Sequence, residues 1–369
     1  MMPPPLGKAL MRAIAGGARP FSSYAARPAS ASVSVASSSP PSSDGGGNVA
    51  SASVAVSSSS PLDGGACALG RPGLRCLLDA EIQTLVDVYN ERVGEKEKLP
   101  TRKSVDQLLA MLGERVGCDG EECTICRMLE VVRGTEYEPI VLRIKEMAFK
   151  VEGPESLNAL LDNFLIIRIC RQLSSNYPGV RFGGVLTIDF MIPPLSSPFG
   201  DPKAVWKDFS STKWGQFQLV LNVDHRMGTG QHWTALIVDA EAKEIQYFDS
   251  YGMPPTDGIL SGSRPYPGIA DEQGRFLSLL RNWINDVRLL FVEHGIAMKF
   301  VYNTTCHQAR RDQSNCGPYS LLFLALRSKG MSFSSITKEV ITTKEIEELR
   351  GKMYKRVKDY RPVPPLDAL

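Results

Sequence analysis

Residues 308–330 constrain this chain more than any other stretch: a polar loop runs into a cysteine, Cys316, and then into an almost wholly apolar segment. Pro318 suits a first helical turn, where its missing N–H would have had no partner, and residues 319–326 are too apolar for a surface helix. The pattern predicts a buried helix with a fixed N-terminus. A thiol at that end faces unsatisfied N–H groups and the positive end of the helix dipole, which favour thiolate over thiol. A cysteine that only packs beneath a core helix has the same local sequence, so the decision rests on its partners.

Two partners stand upstream. The segment from Gln231 and His232 through Trp233 to Asp239 reads as a buried strand with an imidazole at its entrance, and residues 244–252 read as its hairpin mate, ending in Asp249. An antiparallel pair joined by the turn at 239–243 brings the start of the first strand beside the end of the second, so His232 and Asp249 are expected at one end of a sheet. A carboxylate that accepts one imidazole N–H leaves the other nitrogen facing a thiol. His225 competes for the role of base, but it lies in a Gly-containing loop before the strand.

At His232-Trp233, Phe248-Asp249-Ser250 and the Gln preceding Cys316-Gly317, the chain resembles the papain-like cysteine proteases that include the SUMO and ubiquitin-like protein deconjugases, adenovirus proteinase and the core proteases of large DNA viruses. The resemblance implies that Cys316 attacks a peptide carbonyl, His232 is the base, Asp249 orients it, and a Gln amide helps bind the oxyanion. Gln308 lies slightly farther from the cysteine than the family's Gln, and Gln313 lies nearer. Gln308, following His307 as in viral members, is assigned the role, with Gln313 as the alternative. The backbone N–H of Cys316 would be the second oxyanion donor. Trp233 is expected to wall the substrate cleft.

Composition sets bounds on the rest. With 369 residues, 43% hydrophobic and 22% charged, the chain can bury one or two cores. A net charge of +2 gives no global field for nucleic acid or membrane, and no apolar run approaches the roughly 20 residues that span a bilayer. Eight irregularly spaced cysteines do not read as a disulfide framework. The expected location is therefore the cytoplasm or nucleus of a host cell, or a virion.

Residues 1–73 are rich in Ser, Ala, Pro and Gly and are expected to be a disordered tail. Its first 43 residues carry Lys8, Arg12, Arg19 and Arg27 but no acid, so an organelle transit peptide is the alternative. Residues 74–178 read as a helical accessory domain: helices over 78–93 and from Ser104, and a third opening at Pro154 with an apolar face that includes Leu157, Leu160, Leu161 and Phe164. Between them, Cys118, Cys123 and Cys126 suggest either a zinc site lacking a fourth regular ligand or small apolar thiols packed in a tight loop; the second reading is preferred. Short β-rich runs at 183–190, 215–222, 233–238, 245–248 and 298–303 predict the catalytic sheet. His294 reads as a helix-end histidine. Arg310 and Arg311 read as solvated loop, and Thr342 with Glu345 as a capping box.

The expected architecture is an α+β, papain-like cysteine protease domain of the adenovirus-proteinase and SUMO-protease type at 179–369, behind a helical N-terminal extension. The family resemblance implies an endopeptidase that needs no metal or cofactor. It would cleave after small residues such as Gly and process viral structural precursor proteins. The alternatives are an isopeptidase that removes SUMO or another ubiquitin-like modifier, and an inactive binding scaffold. The expected partner is a protein substrate, without a membrane; nucleic acid as an activator has no support in the sequence.

Overall fold

A computed structural model describes residues 66–71, 75–154, 159–192, 197–224, 226, 230, 232–255, 270–309, 312 and 314–355, with backbone alone over 270–278. Most of the tail expected at 1–73 lies outside the described residues, as do Leu157, His225, Arg310, Arg311 and Gln313.

The chain opens with four helices, α1 (Asp79–Arg92), α2 (Val105–Val116), α3 (Glu121–Val131) and α4 (Glu138–Ala148). Ser104 and Gln107 form a reciprocal capping box at the start of α2, and Gly117, left-handed at φ 72°, ends it. Ile82, Leu85, Leu112, Ile125, Met128 and Val141 form a core of their own among these helices. The sequence reading missed α3 and α4, and Cys123 and Cys126 lie on a helix rather than in a loop.

The cysteine expectation needs a further correction. Cys67 is disulfide-bonded to Cys76, and Cys118 to Cys123. The chain reversal at Gly117 brings Cys118 back over the start of α3, and Glu121 accepts the N–H groups of Cys76 and Leu77, drawing the first pair beside the same helix. These approaches are tertiary, so linear spacing conceals them. Sulfurs of Cys67 and Cys76 and an oxygen of Glu121 gather within 4.8 Å, with both sulfurs committed to their mutual bond.

After the two-residue strand β1 (Val151–Glu152), α5 (Asn163–Asn176) leads into β2 (Val180–Thr187), α6 (Pro202–Thr212), β3 (Gln216–Asn222), β4 (Trp233–Asp239), β5 (Glu244–Phe248), α7 (Ala270–Glu293) and β6 (Lys299–Tyr302). Then come α8 (Cys316–Ser328), α9 (Phe333–Thr337), α10 (Thr343–Met353) and β7 (Tyr354–Lys355). The main sheet has the order β2-β3-β4-β5-β6; its outer pairs are parallel and its inner pairs antiparallel. β1 and β7 form a separate parallel pair. The mixed helix-and-sheet fold is of the α+β protease class expected.

Every residue of β3 and β4 is buried, because helices cover both faces of the sheet. Side chains alternate accordingly: Val220, Ala235, Ile237 and Phe248 face α5 and α8, while Leu219, Leu221, Leu236 and Val238 face Val205 of α6 and Leu280, Trp283 and Phe291 of α7. All thirteen residues of α8 are buried. α5 starts later than the predicted opening at Pro154, because Asp162 caps it by accepting the Leu165 N–H at 2.7 Å. Leu160 and Phe164, expected on its apolar face, are instead 53% and 72% exposed.

Among the described residues no helix is long and apolar enough to cross a membrane.

Candidate active site

Three elements converge at one end of the main sheet. His232 immediately precedes β4 and Asp249 immediately follows β5, and the β4–β5 register pairs Ala235 with Phe248. Continuing that register places Tyr251 opposite His232, and the two rings stack with centroids 4.9 Å apart. His232 Nε2 lies 3.1 Å from Asp249 Oδ1, with both side chains buried. Asp249 Oδ1 also accepts the Tyr251 N–H at 2.7 Å, so its charge is locally compensated.

The third element is α8, whose first residue is Cys316. Helix α8 crosses β4, and Ser320 Oγ donates to the Trp233 carbonyl at 3.1 Å, which fixes the rotation of its first turn against the strand behind His232. Cys316 is 2% exposed and is hydrogen-bonded to the His232 side chain. Burial opposes the thiolate, but His232 and the N–H groups of Trp233 and Gly317 outweigh it and hold the thiol below its ordinary range. For His232 burial disfavours the cation, yet Asp249 and Cys316 together push its pKa well upward. The two directions agree. They describe a thiolate–imidazolium pair at neutral pH, which can attack a carbonyl carbon and return a proton to a leaving group.

Gln308 is fully buried. Its Oε1 accepts from Ser250 Oγ at 2.6 Å, its backbone N–H bonds the Ser250 carbonyl at 2.9 Å, and its Nε2 donates to the Asp312 carbonyl. It is thus tied to the residue after Asp249 and to the loop before Cys316. Trp233 donates its indole N–H to the Leu161 carbonyl at 3.0 Å. A Cβ at Gly317 would meet both Leu161 and Trp233 at 3.3 Å, so these two side chains wall the nucleophile's end of the helix. His294, outside the site, stacks on Trp206 at 3.9 Å.

Several site neighbours escaped the sequence reading. Asn303 holds Asp249 by its backbone, accepting the Asp249 N–H at 2.8 Å and donating to its carbonyl at 2.7 Å. Arg226 grips Asp189 through its side chain at 2.7 Å and its backbone N–H at 3.1 Å, anchoring the approach to His232. Tyr251 could have been found by continuing the hairpin register. Nothing local in sequence marks Asn303 or Arg226.

With this geometry established, comparison with known proteins is informative. Residues 221–363 match the Ulp1 protease family, C-terminal catalytic domain. A SUMO-1 cysteine protease of African swine fever virus is 26% identical over 285 residues, covering 72% of this chain and 94% of its own length. A second African swine fever virus protein, named as a cysteine protease, is 26% identical over 280 residues, again covering 72% and 94%. A crystal structure of a protease from the same virus aligns with a TM-score of 0.49 at 22% identity, covering 72% of this chain and 94% of that one.

Proposed function

We propose, for a chain that is a cysteine-type peptidase with a Ulp1-type catalytic domain, that it hydrolyses a bond following a small residue such as glycine in a protein substrate. The observation that carries this reading is the buried Cys316–His232–Asp249 chain at the mouth of α8. The Cys316 thiolate adds to the substrate carbonyl, and the carbonyl π electrons move to oxygen. The N–H of Cys316, unsatisfied within the helix, and the Gln308 amide bind that oxyanion; the amide has two protons and gives one to Asp312. His232 passes its proton to the leaving amine, then takes one from the water that cleaves the thioester, while Asp249 holds the ring. The small-residue preference is supported by Leu161 and Trp233 closing on Gly317.

Precursor structural proteins are the proposed substrates. A second reading, removal of a SUMO-like modifier, is favoured by the name of the viral relative, SUMO-1 cysteine protease. A short Gly-Gly electrophile and the same electrophile carried on a full SUMO or ubiquitin body distinguish them. Labelling by the short probe, lost in Cys316→Ala, supports precursor cleavage. Labelling only by the folded modifier supports deconjugation. Absence of both overturns the enzymatic reading in favour of a binding scaffold.

A further inference from the structure

The loop before Cys316 is held by a buried cation that belongs to another element. Arg350, on α10, is 0% exposed. Its Nε donates to Asn315 Oδ1 at 2.8 Å and its Nη2 to the Ser314 carbonyl, while Nη1 reaches the Ala159 carbonyl at 3.1 Å and the Tyr354 hydroxyl at 2.9 Å. The planar guanidinium therefore grips both residues that precede the nucleophile, and it also binds the segment that leads to Leu161.

This grip bears on the orientation of one peptide group. Asn315 is the N-cap of α8; its side chain is held at both ends, by Arg350 at Oδ1 and through Nδ2 by Asp312 Oδ2 at 2.7 Å. Its carbonyl accepts the Tyr319 N–H at 2.9 Å and so lies along the helix. In a trans peptide the N–H opposes the carbonyl, so the Cys316 N–H points out of the helix mouth. Rotation of the Asn315 peptide would turn that donor away while leaving the Cys316–His232 contact in place.

Arg350 is itself anchored. Lys150 Nζ donates to the Gly351 carbonyl at 2.7 Å, Gly153 N–H to the Lys355 carbonyl at 2.7 Å, β1 pairs with β7, and Lys355 bonds Glu122 of α3. The helical N-terminal region thus fastens the end of α10 from which the guanidinium reaches the loop.

We propose that Arg350 is a positioning residue for the oxyanion site, which fixes the Asn315–Cys316 peptide so that the Cys316 N–H faces the reacting carbonyl. The proposal rests on the reading of Cys316 as the nucleophile.

The test separates two reactions of one sulfur. Iodoacetamide alkylates the thiolate by displacement of iodide, with no tetrahedral oxyanion. p-Nitrophenyl acetate acylates it through one: sulfur adds to the ester carbon, the π pair moves to oxygen, and p-nitrophenolate leaves as the carbonyl re-forms. In full-length Arg350→Gln, the acylation burst is expected to slow at least about tenfold, while the alkylation rate and its pH profile stay within about twofold of wild type. Arg350→Lys, which keeps the charge but loses the fork, should fall between them. Should Arg350→Gln fail to fold by circular dichroism, Asn315→Ala removes the gripped side chain from the other side and should show the same split. Equal rates for both reactions in wild type and variant, or equal losses in both, would overturn the proposal. An error in the nucleophile itself would show separately, as a wild-type burst that survives Cys316→Ala.

Discussion

Asn303 illustrates how much of a catalytic centre lies in groups that never touch substrate. It satisfies both the N–H and the carbonyl of Asp249, and a buried backbone group deprived of its partner costs about 1–3 kcal/mol. Asn303→Ala is expected to lower turnover at least about tenfold, because Asp249 can then drift from the imidazole; steady-state kinetics beside an unfolding curve separate this from global loss of fold. The pH behaviour follows from the paired shifts. The Cys316 thiol sits below its ordinary 9.0, so alkylation should reach its plateau at lower pH than for a free cysteine. His232 sits above its ordinary 6.5, so the imidazolium persists and the alkaline fall in turnover should lie above that value. In His232→Gln the alkylation midpoint should move back toward 9.0; an unmoved midpoint would refute the ion pair. The positions of His232 and Asp249 were legible because one short hairpin joins them. Arg350 was not, since an arginine on a charged helix reads as solvated until the fold carries it to a loop 35 positions away.

Helix α8 is fixed at its far end as well as at its mouth. Arg327 pairs with Asp239 at the end of β4 and donates to Gln246 of β5 at 2.8 Å, while Gln218 of β3 donates to Ser328 at 3.0 Å. This polar layer in an otherwise apolar interface sets the sliding position of the helix along the sheet. Asp239→Asn leaves a buried guanidinium without its counter-charge and should destabilise the protein by about 3–5 kcal/mol, read as a lowered chemical-denaturation midpoint. At the edge of the fold, Thr342 and Glu345 cap α10 reciprocally, as the sequence suggested, and Thr342→Ala should cost about 1 kcal/mol. The strands of the main sheet and helices α1, α2, α8 and α10 could be read from periodicity and caps. Helix α3 was hidden by its cysteines and acids. The start of α5 was masked by an apolar run that serves the active site first and the helix second.

Across the molecule, the segment 66–71 straps the helical region to the sheet domain. Ala68 N–H bonds the Ala148 carbonyl, Arg71 pairs with Glu81 and reaches the Met147 carbonyl, and Asn176 of α5 donates to the Leu69 carbonyl at 3.0 Å. The Cys67–Cys76 disulfide closes this strap over a separation of 9 residues. Replacing both cysteines by serine should remove about 2–3 kcal/mol, and a reducing agent should lower the melting temperature of wild type but not of a variant that also lacks Cys118 and Cys123. Strand order and the β1–β7 pairing could not be read at all, because they join residues about two hundred positions apart. That pairing has a consequence in time. A ribosome delivers Cys316 and His232 before it delivers Arg350 and β7, so a nascent chain stalled between them carries the nucleophile without the fork that orients its amide. Catalytic competence therefore arrives late in translation, and other chains emerging from the same message meet the enzyme only after that last pairing has closed.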